Sequence, residues 1–390
     1  MNYYDAAIIG AGPAGLATSM ELASKGWKVV LIEKSSFPRD KVCGGFIGPE
    51  NRSIFVRYGI LDEIMEKGAL EVTHVHLSAS NGQFIRVPLL TDSNSHSGLG
   101  FSRKSLDDIM VQKAKSLGVI FEDACVAKNI VHTPQMCQLT LTKSKAAIQN
   151  DIKVRHLIYA NGGIPETGLQ NSPSRLFGVF GLFDSCQNMG SDVIMHFIDR
   201  GHVGINRFEN NAVNVCYVIK GSLFKQLKGK YENIWSHLLS SNPCLSRQMG
   251  SSRLLSPWKG IFVDMNRRSR FFDGNAFYVG DAAALIHPVA GGGISLALNS
   301  GILLGGLLGS TRPGEVDRSS VARVYEKTFK RRFAWPIRLS KMIGSIGHDK
   351  NASNMIIRVL KWREKNINSL FNTFHQSSAF TSQRSPYGFR

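Results

Sequence analysis

The GAGPAG loop near the start of the chain has the residue types and spacing of a site that binds dinucleotide phosphates. Gly10 permits a tight turn out of a strand, Gly12 lets a pyrophosphate approach the backbone, and Gly15 allows close packing of helix on strand. The helix that follows would offer free N–H groups and the positive end of its dipole to the phosphates. Glu33, at the end of the next strand, would accept hydrogen bonds from ribose hydroxyls and disfavours a 2′-phosphate. The loop therefore predicts FAD or NAD, and not NADP.

A second glycine-rich stretch, GDAAALIHPVAGGGI at 280–294, distinguishes between these two cofactors. Asp281 follows a strand and could accept a hydrogen bond from a ribityl hydroxyl, and Gly291-Gly292-Gly293 would let a flat ring approach the backbone. The N–H groups of the next helix would face the N1–C2=O edge of an isoalloxazine ring. The alternative, a tight turn before a core helix, leaves Asp281 unexplained. NAD has neither a ribityl chain nor this ring, so the two loops together predict FAD.

Several motifs together resemble the para-hydroxybenzoate-hydroxylase-like FAD superfamily. They are GAGPAG, the strand end at Glu33, the helix start SRKSLDD at 102–108 and GDAA-x4-P-x2-GGGI. FPRDKVCGG at 37–45 is similar to the PRxKxCG segment of the geranylgeranyl-reductase and flavin-dependent-halogenase branch, and GGGI is closest to the reductases. The resemblance extends to about Leu308. It implies an α/β fold: a Rossmann-like FAD-binding domain with an interposed antiparallel β-sheet substrate domain and a helical C-terminal region.

The resemblance also implies a set of cofactor contacts. Arg103 would approach the FAD phosphate or ribityl region, and the turn at 43–45 would lie near the flavin ring. The predicted cofactor-binding residues are Gly10, Gly12, Pro13, Ala14, Gly15, Glu33, Lys34, Cys43, Gly44, Arg103, Gly280, Asp281, Pro288, Gly291, Gly292, Gly293 and Ile294. Two features depart from the superfamily: Asn161 stands where an aspartate is common, and the Trp-x-Trp-x-Ile-Pro element of halogenases is missing. The second departure disfavours halogenation.

His287 and Cys43 are the predicted catalytic residues. His287 precedes Pro288 inside the second loop, where an imidazole could move a proton or polarise a substrate oxygen. The alternatives are a hydrogen-bonded structural histidine and, for Cys43, a small buried thiol. The residues predicted to line a substrate pocket are His196, His202, Asn206 and Trp258. No metal-ligand spacing is present in the sequence, so no metal site is predicted.

Two reactions fit these residues. In a monooxygenase, NADH or NADPH reduces the flavin, a C4a-hydroperoxide forms with O₂, and an apolar, aromatic or polyketide-like metabolite, free or carrier-bound, is hydroxylated. In a geranylgeranyl-reductase-like enzyme, a hydride from the flavin N5 reduces a C=C bond, or the reverse dehydrogenation occurs. We favour the monooxygenase. A third hypothesis is a non-catalytic flavin-bearing interaction protein.

The apolar patterns predict the elements that position these side chains. Residues 3–35 are typical of a βαβ unit, 72–90 of a hairpin around Asn81-Gly82, and 102–118 of an amphipathic helix with Ser105 and Asp108 at capping-box spacing. Alternating strands fill much of the interval from 164 to 273. The predicted FAD-binding domain comprises 1–71, 98–163 and 274–312, and the substrate domain comprises the hairpin segment 72–97 and the sheet segment 164–273. Residues 313–390 form a basic helical C-terminal region.

Composition limits the class of protein and its partners. The 390 residues carry a net charge of +18, and 321–390 hold 14 Lys and Arg against 3 Asp and Glu. This charge favours an acidic carrier protein or an anionic membrane surface as partner, and no recognisable nucleic-acid-binding fold accompanies it. An apolar stripe at helical spacing is predicted to face the core, with a membrane-surface helix as the alternative; its positions are Ile356, Val359/Leu360, Ile367, Leu370/Phe371 and Phe374. The six cysteines are scattered, Asp5 interrupts the apolar residues near the start, and no long apolar run is present. We therefore predict a cytoplasmic protein, with peripheral membrane association as an option.

Overall fold

The computed structural model describes residues 2–89, 97–133, 135–143, 149–162 and 175–362. Its strands are β1 (Asn2–Ile9), β2 (Val29–Ile32), β3 (Phe46–Ile47), β4 (Leu70–Val72), β5 (His74–Ser78), β6 (Phe84–Pro88), β7 (Gly98–Gly100), β8 (Ile120–Glu122), β9 (Cys125–His132), β10 (Cys137–Lys143), β11 (Gln149–Tyr159), β12 (Arg175–Phe183), β13 (Val193–Ile198), β14 (Gly201–Arg207), β15 (Val213–Lys220), β16 (Lys259–Asp264) and β17 (Ala276–Tyr278). Its α-helices are α1 (Pro13–Ala23), α2 (Arg52–Tyr58), α3 (Leu61–Glu66), α4 (Arg103–Ser116), α5 (Gly221–Gln226), α6 (Tyr231–Ser241), α7 (Pro243–Met249), α8 (Gly293–Leu308), α9 (Arg318–Gly347) and α10 (Lys350–Trp362). Short 3₁₀ turns include Gly280–Ala282 and Pro288–Ala290.

The first sheet has the order β8-β2-β1-β11-β10-β9, and β17 pairs with the last three residues of β11. The pairs β1–β2, β1–β11, β2–β8 and β11–β17 are parallel. Strand β2 (VVLI) is fully buried, as expected of a central strand covered on both faces. Because these strands are parallel, their carboxyl ends lie at one edge of the sheet.

The second sheet has the order β16-β12-β15-β14-β13-β5-β6. Its pairs are antiparallel except β13–β5, which is parallel and joins the hairpin at 74–88 to the later strands. One face, with Val203, Ile205 and Tyr217, packs on α5, α6 and α7. The other face carries His202, Asn206 and Asn214 and turns towards the first sheet. A third, small sheet has the order β3-β7-β4.

The predicted fold class is confirmed: an α/β fold with an interposed, mainly antiparallel sheet and helices at the C-terminal end of the described chain. The division into domains at the stated residue numbers stays a prediction. Several local predictions were wrong or incomplete. Helices α5–α7 were not predicted. The side chain that caps α4 is Ser102, whose Oγ accepts the Ser105 N–H at 3.1 Å, and not Ser105. In the predicted C-terminal stripe, Val359 is exposed and Leu360 packs on the core, and the positions from Ile367 to Phe374 lie outside the described residues.

Helices α1 and α8 follow the two glycine-rich loops and pack directly against each other. A Cβ at Gly301 would lie 2.3 Å from the Ala14 carbonyl oxygen, and one at Gly305 would lie 2.6 Å from the Glu21 Cβ. The Thr18 hydroxyl donates to the Ala14 carbonyl at 2.8 Å and to that of Gly301 at 3.3 Å. The small residues on α8 therefore let the two helices, and with them the two loops, come together. None of the described helices is both long and apolar enough to cross a bilayer.

The packing of α1 on α8 gives a matched test. Gly301→Ala should destabilise the protein by about 1–3 kcal/mol, because the methyl group cannot fit without moving the α1 backbone. Gly306→Ala, on the exposed side of the same helix with nothing within 4 Å, should stabilise it by about 0.5–1 kcal/mol by reducing the entropy of the unfolded chain. Urea denaturation of both variants measures the two changes. Equal changes of the same sign would show that this contact does not fix the helix pair.

Candidate functional site

Both glycine-rich loops lie at the carboxyl edge of the first sheet. Gly10 follows β1 with φ +110°, and a Cβ there would lie 2.6 Å from the Ala160 carbonyl oxygen of the neighbouring strand end. Gly280 follows β17 with φ +59°, and a Cβ there would lie 2.7 Å from the Ala14 Cβ. Both positions require glycine because of their backbone conformation and their neighbours. In an open parallel sheet, this edge is where ligands bind.

Glu33 directly follows β2, beside the first loop. Its Oε2 accepts the Ala11 N–H at 3.1 Å and its Oε1 accepts the Ser35 N–H at 3.1 Å, while Arg39 lies 3.3 Å away. Burial acts to raise the pKa of Glu33, but Arg39 and the two N–H donors outweigh burial and lower it. The carboxylate is therefore charged and fixed at the position where a ribose would lie.

Buried charges connect this loop to the start of α4. Arg39 donates to Asp107 at 2.9 Å and to the Ala11 carbonyl at 3.0 Å. Arg103 donates to both oxygens of Asp107, at 2.8 and 2.7 Å. Burial acts to lower the pKa of Arg103, but Asp107 and then Cys43 outweigh it and raise that pKa. The Arg103 guanidinium also lies 3.6 Å from where a Cβ of Gly12 would be, so a permanent positive charge faces the glycine loop.

The second loop presents an acid and a helix N-terminus. The Asp281 side chain borders the open cleft. Loss of hydration among the protein atoms around it raises its pKa, while the charges of Arg267, Arg103 and Lys41 act to lower that pKa. Helix α8 begins at Gly293 without a side-chain cap, so its first N–H groups are available to a ligand. A Cβ at Gly293 would meet nothing within 4 Å. A flat group can approach this backbone closely.

The Cys43-Gly44-Gly45 turn is fastened to the second sheet by two amides. Asn214 Nδ2 donates to the Gly44 carbonyl at 2.8 Å and to the Cys43 carbonyl at 3.2 Å, and Asn206 Nδ2 donates to the Gly44 carbonyl at 3.4 Å. These asparagines are directly opposite each other on β14 and β15. Gly45 has φ +66°, and the Phe208 ring occupies the space of any Cβ there. The second sheet therefore sets the position of this turn.

A cavity of about 270 Å³ lies between this turn, the start of α4 and the second sheet. Its apolar wall comprises Phe180, Leu182 and Phe208, and its polar wall includes Lys41, Arg103 and Lys104. Glu209, also in the lining, accepts the Ser102 N–H at 3.0 Å and the Ser105 hydroxyl at 2.6 Å. The Glu209 carboxylate thus stabilises the N-terminus of α4.

The structure places His287 in a buried cluster with His202 and His348. Its Nδ1 accepts the Val289 N–H at 3.3 Å, and its ring fills the space beside Gly344 of α9. The His202 Nδ1 lies 2.8 Å from the His348 Nε2, and burial lowers the pKa of all three rings, that of His287 to about 4. These contacts connect the second loop, the second sheet and the end of α9. The catalytic role of His287 stays a prediction.

The other predicted pocket residues do not lie together. Asn206 contacts the Gly44 carbonyl as described, whereas the His196 Nδ1 lies 2.7 Å from the Ser78 hydroxyl in the helix-covered part of the second sheet. Trp258 packs on Phe183, Tyr217 and neighbouring aromatic rings of that same side. Lys34 is exposed beyond Glu33, and Pro288 is exposed beside the second loop.

Sequence reasoning missed three residues of this site: Arg39, Asp107 and Asn214. The first lies in the quoted segment FPRDKVCGG and the second in SRKSLDD, so the motif context could have indicated both. Asn214 had a weaker signal, a polar residue alternating with valines in VNVC that would face opposite to them. Among the described residues, no group of three His, Cys, Asp or Glu side chains is placed to hold a metal ion.

Several known proteins are similar to this chain over most of its length. The tryptophan 2-halogenase of Chondromyces crocatus is 24% identical over 352 residues, 84% of this chain but only 65% of that protein, so the chain spans slightly less than two thirds of it. The digeranylgeranylglycerophospholipid reductase 1 of Methanococcoides burtonii is 27% identical over 382 residues, 92% of this chain and 83% of that protein. The solved structure of the flavin-dependent brominase Bmp2 matches with a TM-score of 0.78 and 17% identity, covering 95% of this chain and 94% of that one.

A family model described as an FAD binding domain matches residues 3–333, which is most of the chain. Its extent includes both glycine-rich loops, the Glu33 strand end and the start of α4. The names of these two relatives describe different reactions, a halogenation and a reduction. The protein therefore belongs to the FAD-binding-domain family, and its cofactor is FAD.

Proposed function

We propose that this protein is an NADH- or NADPH-dependent monooxygenase that hydroxylates a compact apolar, aromatic or polyketide-like compound. The cavity beside Cys43 carries the proposal. At about 270 Å³ it is smaller than most ligand pockets, which measure roughly 300–1,000 Å³, and it has aromatic and aliphatic side chains on one wall. A compact ring fits such a space better than a long polyprenyl chain. Because an aromatic ring is a poor hydride acceptor, hydroxylation is the flavin reaction that suits it.

The residues around the two loops would hold FAD at both ends. Glu33 would accept hydrogen bonds from the adenosine ribose, and the α1 N-terminus with Arg103 would hold the pyrophosphate beside Gly12. Burial and the neighbouring Arg39 lower the pKa of Lys41, so this cluster of cations would also be stabilised by an anion. Asp281 would hold the ribityl chain. The first N–H groups of α8 would face the N1–C2=O edge of the ring and stabilise negative charge there.

When bound, FAD supplies the electron transfer and the activation of oxygen. In each turnover one substrate C–H bond becomes C–OH, O₂ provides that oxygen atom and one water, and NAD(P)H with a proton provides two electrons. The protein's part is positioning: Asn206 and Asn214 hold the Cys43 turn, and Phe180 and Phe208 exclude water from one side of the cavity. Cys43 lines the cavity and is the side chain of the turn that would touch substrate or flavin.

A second candidate is reduction of a C=C bond in an apolar substrate. The observation that favours it is the full-length similarity to the digeranylgeranylglycerophospholipid reductase, which extends over 92% of this chain and 83% of that protein. In this reaction the substrate accepts a hydride from the reduced flavin and a proton, and no oxygen is consumed.

Oxygen uptake separates the two candidates. A monooxygenase should oxidise NADH or NADPH with matching consumption of O₂ and with a hydroxylated product when a phenolic substrate is supplied. Turnover of a prenylated substrate to a saturated product under strictly anaerobic conditions would contradict the proposal and favour the reductase. A panel of phenolic and prenylated compounds, tested with each nicotinamide donor and with and without added halide, makes the comparison; a halogenated product would contradict both candidates.

Replacement of Gly12 by valine tests the phosphate end. The nearest atom to a Cβ there is 3.6 Å away, so the side chain fits the protein but occupies the space that a pyrophosphate needs. FAD affinity should fall by about 100-fold, equivalent to roughly 2.7 kcal/mol, as measured by fluorescence titration of apoprotein.

The thermal midpoint of the Gly12→Val apoprotein serves as the control and should stay close to that of the parent apoprotein. Unchanged flavin affinity in a folded variant would show that the first loop does not hold the phosphates.

A further inference from the structure

The outward side of α9 bears a stripe of alternating basic and apolar residues. Arg331, Trp335, Arg338 and Met342 follow one another at intervals of four, three and four, which places them on one face of the helix. All four are exposed, and Trp335 and Met342 keep more than half of their surface accessible. Phe329 and Phe333 are buried on the opposite side.

Helix α10 repeats this arrangement. Met355 and Val359 are one turn apart and each is more than half exposed, with Arg358 beside them. Ile357 and Leu360 lie on the other side of the helix and pack into the protein. Met355 and Val359 therefore do not take part in packing α10 against the protein.

Both stripes lie on the same side of the molecule. Ile343 of α9 and Ile357 and Leu360 of α10 belong to one cluster with Val75 and Phe197 of the second sheet. The C-terminal part of α9, where Met342 lies, and α10 thus pack on the same apolar cluster. Met342, Met355 and Val359 are exposed on this pair of helices.

The surface is strongly basic. Between Lys327 and Lys361 the sequence contains nine Lys and Arg and a single acidic residue, Asp349. That carboxylate accepts the Ala352 N–H at 2.8 Å at the start of α10. Just before this interval, Glu326 of α9 pairs with Lys330. The segment therefore keeps a large excess of basic side chains over acidic ones.

We infer that the outward faces of α9 and α10 form a docking surface for an anionic lipid membrane. In such a surface the apolar side chains enter the boundary between headgroups and acyl chains, and Lys and Arg contact anionic headgroups. Tryptophan suits this depth because its ring is largely apolar and its N–H can still be hydrated. A protein interface usually separates an apolar centre from a charged rim. Here charged and apolar residues alternate along each helix, which favours a lipid surface over an acidic protein.

Vesicle sedimentation of the FAD-loaded full chain tests this inference. Wild-type protein should sediment with vesicles of phosphatidylglycerol and phosphatidylcholine, not with phosphatidylcholine alone, and less at high salt. Met355→Glu with Val359→Glu should lower the apparent affinity about tenfold or more, because two apolar contacts are lost and two anionic charges are added. A separate Arg338→Glu variant should weaken binding in the same direction.

The matched control is Val131→Glu, since Val131 is 58% exposed on β9, an edge strand of the first sheet. It should bind vesicles as the wild type does, and all variants should keep full flavin content. The inference would be overturned by no sedimentation of the wild type with anionic vesicles, or by equal binding of the α10 variant and the control. A change in oligomeric mass without a change in vesicle binding would overturn it in favour of a second copy of this chain.

Discussion

The Arg39 guanidinium lies between two buried carboxylates, Glu33 at the end of β2 and Asp107 in α4, and Asp107 in turn holds Arg103 with two hydrogen bonds. Each of these groups would be costly to bury alone, and removal of one partner from such a set costs about 3–5 kcal/mol. The four charges therefore fix β2, the 37–45 segment and α4 relative to one another. The shape of the cleft around the first glycine loop depends on this network.

The packing of α1 on α8 has a comparable role for the second loop. Glycine, alanine and threonine supply much of this contact, so the helix backbones approach closely and the two loops become neighbours despite 270 residues of separation. The second sheet contributes from the other side, where Asn206 and Asn214 hold the 43–45 turn. Residues from three distant parts of the chain thus border one cleft, and the chemistry of that cleft is set by their relative placement.

Local patterns in the sequence were sufficient for the features that depend on nearby residues. Residue spacing alone was enough to predict three features: the GAGPAG turn, the strand that leads to Glu33 and the hairpin around Asn81-Gly82. Contacts between distant segments could not be predicted in this way. The sequence did not indicate that His287 lies against His202 and His348, because that grouping depends on where the C-terminal end of α9 meets the second sheet. The sequence predicted that Val359 of α10 faces the core, but it is exposed, because periodicity shows an apolar stripe and not how wide a stripe the core covers.

The two glycine-rich loops are placed to bind opposite ends of a single FAD. Calorimetric titration of the apoprotein with ADP and with FAD, for the wild type and for Gly293→Val, tests it most directly. A Cβ at Gly293 meets no protein atom within 4 Å, so the substitution alters only what can approach the start of α8. If the loops bind the two ends of one FAD, Gly293→Val should leave the ADP affinity unchanged and lower the FAD affinity towards that of ADP. Unchanged affinity for FAD, or an equal loss for both ligands, would contradict it.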